Sequence, residues 1–141
     1  MANDTGDFAR SMSIATSGLR AQAGRMRVIS ENIANADSTA SSPGGEPYRR
    51  KVPTFSSELD RTLDAKVVTL GRVRPDTSAF RVKHEPGNPA ADTAGNVRYP
   101  NVNPLIEMTD MRDAQRSYEA NLNIIGATRR MIQRTLDILK A

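Results

Sequence analysis

The chain has 141 residues, enough for one ordinary domain and short for two, and the 4% aromatic content suits helix packing better than a bulky aromatic core. It has no cysteine, which excludes disulfides and thiolate metal sites, and no run of about 18 apolar residues, which excludes a membrane-spanning helix. The net charge of +4 is compatible with nucleic acid or anionic lipid as a partner, but does not by itself indicate either.

A long helix is predicted at the N-terminal end of the chain, within residues 1–36. Its apolar residues recur at intervals of four and three, the heptad spacing typical of a coiled-coil seam, and the polar residue Gln22 interrupts them. We therefore expect this face of the helix to pack against a second helix. The predicted seam consists of Phe8, Met12, Ala15, Leu19, Met26, Ile29 and Ile33.

The stretch "NIAN" closes this helix with two asparagines, Asn32 and Asn35. Asparagine is unfavourable inside helices because its short amide competes for nearby backbone groups. The same amide can satisfy backbone groups that are left unpaired where a helix ends. We therefore expect both side chains to bind the backbone at the end of the helix, where the chain turns.

Residues 37–104 differ in composition from both ends of the chain. Seven of the eight prolines lie there before residue 104, and "SSPGGEP" and "PGNPAADTAGN" are typical of loops. Short strands fit residues 48–55, 66–74 and 79–84, and residues 74–78, "RPDTS", supply a turn for a hairpin. We expect one small β-rich module here, although residues 56–85 carry too weak a pattern to predict their fold.

A second long helix is predicted within residues 105–141. Asn103 followed by Pro104 is a favourable start, because asparagine caps helices and proline fits the first helical position. Its apolar stripe has the same spacing of four and three, so the two helices are natural partners. The predicted fold is therefore α+β and mainly α. The seam residues of the second helix are Met111, Tyr118, Leu122, Ile125, Ile132, Leu136 and Leu139.

Apolar residues beside the two seams widen the apolar face of each helix. Burying one such side chain contributes about 1.5–3 kcal/mol, so several exposed ones favour association with other chains. A helical hairpin within one chain, without any polymer, explains the heptad stripes equally well. The flanking residues are Ile14, Val28, Ile124, Met131 and Ile138.

No combination of residues indicates catalysis, a metal or a cofactor. His84 is the single histidine and has no cysteine to accompany it, so a zinc site is not expected and we assign His84 no role. The sequence has neither a Gly-x-Ser-x-Gly elbow nor the spacing of a calcium or phosphate-binding loop. The densest basic cluster is "YRRK" at residues 48–51, which fits a solvated strand edge or an ion-pair interface with another chain.

Three segments resemble the bacterial flagellar axial proteins and, within that family, the proximal-rod proteins. "GLRAQAGRMRVISENIANADST" (18–39) is similar to the N-terminal rod motif, in which a helix ends in Asn-Ile-Ala-Asn and a threonine, here Thr39, follows. "GGEPYRRKVPTF" (44–55) resembles the next segment of these proteins. "PGNPAADTAGNVRYPNVNPLIEMTDMRDAQRSYEANLNII" (86–125) is the most specific match and ends in the Ser-Tyr-Glu-Ala-Asn signature of the C-terminal helix.

The resemblance implies a structural subunit of the flagellar basal-body rod, with no enzymatic activity and no cofactor. Such proteins are exported without a cleaved signal peptide by the flagellar type III apparatus, and stack helically into a hollow rod that crosses the periplasm. Residues 1–36 and 105–141 would form a discontinuous coiled-coil domain that lines the tube, with residues 37–104 outside it. The implied partners are neighbouring copies, other rod proteins, and basal-body ring and export-gate components, with no nucleic acid and no direct membrane span.

The resemblance also implies which residues form the turn after the first helix and the contacts between subunits. The charge alone leaves an alternative, a small basic helical protein that binds nucleic acid or a membrane surface. Against it, the basic residues lie on several faces of the helices and aromatic residues are few. The implied turn and contact residues are Asn32, Asn35, Thr39, Tyr48, Arg49, Arg50, Glu119 and Asn121.

Overall fold

The computed structural model describes the backbone of residues 2–140 and the side chains of residues 6–140. Two long helices enclose six short strands in the chain order, so the architecture is α+β and mainly α, as predicted. The elements are α1 (Ala2–Ala34), β1 (Lys51–Val52), β2 (Phe55–Asp60), β3 (Ala65–Leu70), β4 (Arg74–Pro75), β5 (Arg81–His84), β6 (Asn96–Tyr99) and α2 (Pro104–Lys140).

The apolar stripe of α1 lies on the covered side of that helix along its whole described length. Ala15 and Ile29 are almost completely buried, and the other predicted seam residues are half-buried. The helix ends at Ala34, two residues before the predicted limit. There the N–H of Asn35 donates to the carbonyl oxygen of Glu31, which closes the last turn.

Helix α2 begins at Pro104, where the Asn103 side-chain oxygen accepts the N–H of Leu105 at 3.1 Å, so the predicted cap is confirmed. The covered stripe of α2 differs from the predicted seam. Leu122, Leu136 and Leu139 are exposed, because small and polar residues occupy the covered positions between the larger apolar ones. The covered positions follow one another at intervals of three and four. They are the buried Glu107, Ala114 and Thr128 and the half-buried Met111, Tyr118, Asn121, Ile125 and Ile132.

The strands form three separate two-stranded antiparallel sheets, β1–β4, β2–β3 and β5–β6. The predicted hairpin through residues 74–78 is wrong. Strand β3 ends at Leu70, and Gly71 donates its N–H to the carbonyl oxygen of Thr54 at 2.7 Å, so β3 belongs with β2. Strand β5 pairs with β6 instead. All residues of β5 are exposed, and the buried side chains of this hairpin, Val97 and Tyr99, come from β6.

The chain divides into two compact units, and each contains part of both helices. Unit 1 consists of Met1–Met26, Thr54–Arg72 and Asp113–Ala141. Unit 2 consists of Arg27–Pro53 and Val73–Arg112. This division does not follow the predicted boundaries at residues 36 and 105, so the predicted helical domain and middle module remain a proposal about the assembled protein.

In unit 1 the two helix segments lie side by side and antiparallel. Phe8 and Met12 of α1 line an apolar groove with Ile132 and Leu139 near the end of α2. Further along, Gly18 lies directly against Asn121, since a Cβ at Gly18 would come within 2.8 Å of the Asn121 amide nitrogen. Glycine at this position therefore allows the helices to approach closely.

The β2–β3 hairpin of unit 1 lies with its β3 edge along α1. The N–H of Val68 donates to the Ser17 hydroxyl at 3.2 Å, and the Arg10 side chain donates to the Leu63 carbonyl oxygen at 2.7 Å. The turn between the strands is held by Asp60, whose carboxylate accepts the N–H of Thr62 at 2.9 Å. Strand β2 is left on the outer side of the hairpin.

Unit 2 contains a small apolar core and, in addition, two buried polar residues. Ala90, Val97 and Tyr99 form one buried cluster. Two residues that normally avoid protein interiors, Asn32 and Glu107, are completely buried in the same unit. Among residues 2–140, neither helix is long and apolar enough to cross a membrane.

Candidate functional site

Asn32 is the centre of a buried hydrogen-bond network in unit 2. Its amide nitrogen donates to the Lys51 carbonyl oxygen at 2.8 Å and to the Glu107 carboxylate at 3.0 Å. Its amide oxygen accepts the Tyr48 hydroxyl and the Lys51 N–H, both at 2.9 Å. An asparagine amide offers two donors and two acceptor positions, so the hydrogen-bonding capacity of Asn32 is fully used within the chain.

Glu107 carries the network from α2 to the basic cluster. One carboxylate oxygen accepts from Asn32, and the other accepts the Arg50 guanidinium Nε at 2.7 Å. Arg50 also lies 3.5 Å from the Asp76 carboxylate and 3.8 Å from the Asp110 carboxylate. A buried carboxylate without a partner is costly, and here the charge of Glu107 is balanced by a cation and by a neutral donor.

The basic cluster at residues 48–51 is engaged within the chain, residue by residue. Tyr48 bonds Asn32, and Lys51 forms an ion pair with Glu31. Arg49 donates to the carbonyl oxygen of Asp76 at 3.1 Å. Its guanidinium also lies 4.2 Å from the centre of a phenylalanine ring, that of Phe80. All four side chains therefore have partners within their own chain, and their contact with another subunit stays a prediction.

The network shifts the pKa values of its titratable groups. Burial raises the pKa of the Tyr48 hydroxyl to about 12, and the nearby carboxylates of Glu31 and Glu107 add to this effect. Burial opposes the charge of Arg50, but the hydrogen bond and charge of Glu107 outweigh it and raise the pKa of that guanidinium. The pKa of Asp76 lies below its ordinary value, because the backbone and side chain of Ser78 both donate to its carboxylate.

The remaining predicted contact residues lie apart from this network. Asn35 donates to the Glu31 carbonyl oxygen at 2.8 Å, so it binds the end of its own helix, whereas Asn32 does not. Thr39 is half-buried in the turn after α1. Asn121 belongs to unit 1, where it bonds the Ser117 carbonyl oxygen at 3.0 Å, and Glu119 is exposed.

A second feature is the apolar flank of α2 in unit 1. Ile124, Met131 and Ile138 follow one another at intervals of seven and are 47%, 48% and 76% exposed. Because a heptad returns nearly to the same face of a helix, these three side chains form one row beside the covered stripe. We call this row the α2 flank.

Both ends of the chain match models of known protein families. The family model described as flagella basal body rod protein matches residues 12–40, and the one described as flagellar basal body rod FlgEFG protein C-terminal matches residues 93–138. The flagellar basal-body rod protein FlgC of Agrobacterium fabrum is 54% identical over 128 residues, which cover 91% of this chain and 92% of that protein. The FlgC proteins of Bacillus subtilis and Aquifex aeolicus are 38% and 37% identical, over 92% and 95% of this chain and 97% and 98% of theirs.

The chain belongs to the FlgC family of flagellar basal-body rod proteins. Its function is accordingly that of a structural subunit of the rod, and the comparisons give no support to the nucleic-acid or membrane-surface alternative. The segments that match the rod family models contain Asn32 and Glu107, so both partners of the buried network lie in matched segments. Among residues 6–140, whose side chains are described, no group of three or more histidine and acidic residues is placed to hold a metal ion.

Glu107 was not predicted from the sequence as the partner of Asn32. An acidic residue in the first turns of a helix is ordinary, because it complements the helix dipole. The available signal was its position, one turn before Met111 on the stripe that is covered. A charge in that stripe indicates a buried partner of opposite sign, which Arg50 provides.

Proposed function

We propose that this chain assembles helically with copies of itself and other axial proteins into the hollow rod, which serves as drive shaft and export channel. The terminal helices would pair as a coiled coil that lines the tube, and residues 37–104 would lie outside them. Membership of the FlgC family and the antiparallel contact of the helices in unit 1 support this arrangement.

The observation that carries the proposal is the exposed α2 flank. The covered stripe of α2 already accounts for its contact with α1, and the flank adds a second row of apolar side chains that the chain leaves exposed. Burying each of them would stabilise an assembly by about 1.5–3 kcal/mol. A helix with apolar residues on more than one face is suited to contacts with several neighbours.

A flagellated host that lacks its own copy of the gene provides the test. Met131→Asp should abolish swimming and remove the chain from purified basal bodies, because a buried charge in a subunit contact has no partner. The same change should lower the stability of the isolated chain by only about 1 kcal/mol, since Met131 is half exposed there and aspartate has a somewhat lower helix propensity. Asn123→Asp is the matched control, since it adds the same charge at an exposed position off the flank.

Rod incorporation of the Met131→Asp chain at the level of the control would show that the flank is not a subunit contact. Absence of the unaltered chain from basal bodies would contradict the proposed function itself. The two outcomes are distinguished by running the unaltered chain in the same preparation.

We also propose that the chain reaches the rod through the flagellar type III apparatus, without a cleaved signal, and meets ring and export-gate components at the base. The family membership supports this route. In a strain with an inactive export apparatus, the chain should stay in the cytoplasm at its full length. Processing to a shorter form, or release that does not depend on the apparatus, would contradict the route.

A further inference from the structure

Strands β2 and β5 each have one edge that no other described strand covers. Strand β2 pairs with β3 on one side only, and β5 pairs with β6 on one side only, and no other strand within residues 2–140 pairs with either of them. All residues of β5 are exposed, and so are the first five of β2. An exposed edge strand is a template for pairing with another chain.

The ladder geometry fixes which backbone groups point outward from β2. Since Gly71 donates to the Thr54 carbonyl oxygen and pairing alternates along an antiparallel ladder, Phe55, Ser57 and Leu59 turn their N–H and C=O groups away from β3. The N–H of Val68 agrees with this assignment. Val68 lies opposite Ser57, and its N–H points away from β2 and donates to the Ser17 hydroxyl.

The ladder between β5 and β6 alternates in the same way, so it also fixes which backbone groups of β5 point outward. Glu85 donates to the Gly95 carbonyl oxygen, so Arg81 and Lys83 direct their backbone groups to β6. Val82 and His84 therefore direct theirs to the free edge. Each free edge thus offers a short row of unpaired donors and acceptors in known register.

The two edges are complementary in sequence. If β2 of one copy and β5 of another pair antiparallel with Leu59 opposite Val82, the outward groups of both strands meet. On that face Leu59 and Val82, which are 56% and 60% exposed, cover each other. On the other face Glu58 lies opposite Lys83 and Asp60 opposite Arg81. These ion pairs form when Lys83 leaves the Tyr99 ring and Arg81 leaves the carbonyl oxygens of Pro100 and Ala36.

Neighbouring registers fit less well. Moving β5 by two residues in either direction keeps the backbone groups aligned, but leaves one opposite-charge pair and separates Leu59 from Val82. Moving it by one residue places the outward groups of one strand against the inward groups of the other. The register with two ion pairs and an apolar pair is therefore distinguished from its alternatives.

We propose that β2 of one copy and β5 of a second copy pair in this register, and join two hairpins into a four-stranded antiparallel sheet. This inference rests on the proposed rod function. The contact joins different surfaces of the two copies, so each copy keeps a free β2 or a free β5 for a further neighbour. Repetition of such a contact gives an open helical assembly, as a rod requires. It also adds strands to two-stranded hairpins, and a larger sheet is more stable than an isolated pair of strands.

The test uses two single-cysteine forms of the full chain, which has no cysteine of its own. Leu59→Cys and Val82→Cys carry different epitope tags and are produced together in the flagellated host that lacks the gene. Directly opposite residues in a bonded antiparallel pair have Cα atoms about 5.5 Å apart, which permits a disulfide. Mild oxidation of purified basal bodies should therefore yield a mixed dimer that carries both tags.

Phe55→Cys combined with Val82→Cys is the matched control, because Phe55 is also exposed but lies four residues from the predicted partner, or about 13 Å along the strand. We expect roughly tenfold less mixed dimer from it, since that separation exceeds the limit of about 7 Å for a disulfide. In addition, Glu58→Lys in the first chain should lower the yield about two- to fivefold, and Lys83→Glu in the second should restore it.

Equal yields from the Leu59 and Phe55 combinations, in basal bodies that contain both chains, would overturn the pairing and leave the rod function intact. A lowered yield with Glu58→Lys that Lys83→Glu does not restore would overturn the register. Absence of the unaltered chain from basal bodies would overturn the rod function and the pairing with it.

Discussion

The buried network predicts that replacing Asn32 destabilises unit 2 far more than an exposed polar substitution does. Asn32→Ala removes four hydrogen bonds and leaves the Glu107 oxygen and the Lys51 backbone groups without that partner. Tyr48 is half-buried and can turn to water, so its loss is small. Three groups lose this partner: the buried Glu107 oxygen, at about 1–3 kcal/mol, and the two part-buried backbone groups of Lys51, at about 1 kcal/mol each. Together with the small cavity, the expected loss is about 3–5 kcal/mol.

A loss of that size is a large part of the roughly 5–15 kcal/mol that stabilises an ordinary domain. The measurement is urea unfolding of the full chain by circular dichroism, with amide exchange to locate the effect. The amide of Lys51, which donates to Asn32, should lose protection before the amides of unit 1 do.

Asn32→Asp keeps the shape of the side chain but replaces its N–H donor with an oxygen that accepts hydrogen bonds. The new carboxylate would lie where the amide now donates to Glu107 at 3.0 Å, so two buried carboxylates would compete for one proton. The penalty is that of ionising the new aspartate beside Glu107, so it grows as the pH rises above about 4, the ordinary aspartate value. The deficit relative to the unaltered chain should therefore shrink as the pH falls from 8 to 5.

Asn35 provides the control, three residues away on the same helix. Its side chain makes one hydrogen bond, to the Glu31 carbonyl oxygen. Asn35→Ala should cost about 1 kcal/mol, with no pH dependence. If Asn32→Ala costs no more than Asn35→Ala, or if the Asn32→Asp deficit is constant between pH 5 and 8, the network does not stabilise unit 2 as argued.

Three further predictions concern single contacts. Gly18→Ala should stabilise the chain by about 1 kcal/mol when Asn121 is also replaced by alanine. In the unaltered chain the gain should be smaller or absent, because the new Cβ meets the Asn121 amide. Urea unfolding of the unaltered chain, the two single variants and the double variant measures the difference. Because the pKa of Tyr48 is raised to about 12, its contribution to stability is present below about pH 10 and is lost as the pH approaches 12; Tyr48→Phe should remove the tyrosinate absorbance step near pH 12. Because the pKa of Asp76 is lowered, its contribution is present above about pH 4 and is lost below; the stability difference between the chain and Asp76→Asn should shrink as the pH falls through that value.

Much of the helical structure could be predicted from the sequence, because it depends on local spacing. Apolar residues at intervals of four and three place the helices, and Asn103 with Pro104 marks the first residue of α2. The covered stripe of α2 was harder to predict. Leu122 is apolar and is exposed, whereas its polar neighbour Asn121 is half-buried against Gly18, which leaves room for a close approach.

The strands could be predicted only in outline. The pattern placed β-structure in residues 48–55, 66–74 and 79–84, and each of these contains part of a strand. Their partners depend on contacts distant in the chain, such as the pairing of Arg81 with Tyr99, and on Gly71, which ends β3. A turn-forming sequence between two strands therefore did not suffice to predict that they pair.

The role of Asn32 follows from counting its hydrogen bonds, which the sequence alone does not allow. The four partner groups come from three residues, Tyr48, Lys51 and Glu107, which lie 16 to 75 positions along the chain. Because the amide has no capacity left, we expect that it does not bind a neighbouring subunit while unit 2 is folded. We therefore expect Asn32 to act on the rod indirectly, by fixing β1 and Glu107 in place. Loss of swimming in an Asn32 variant should accordingly be accompanied by a large loss of stability in the isolated chain, unlike the loss expected for Met131→Asp.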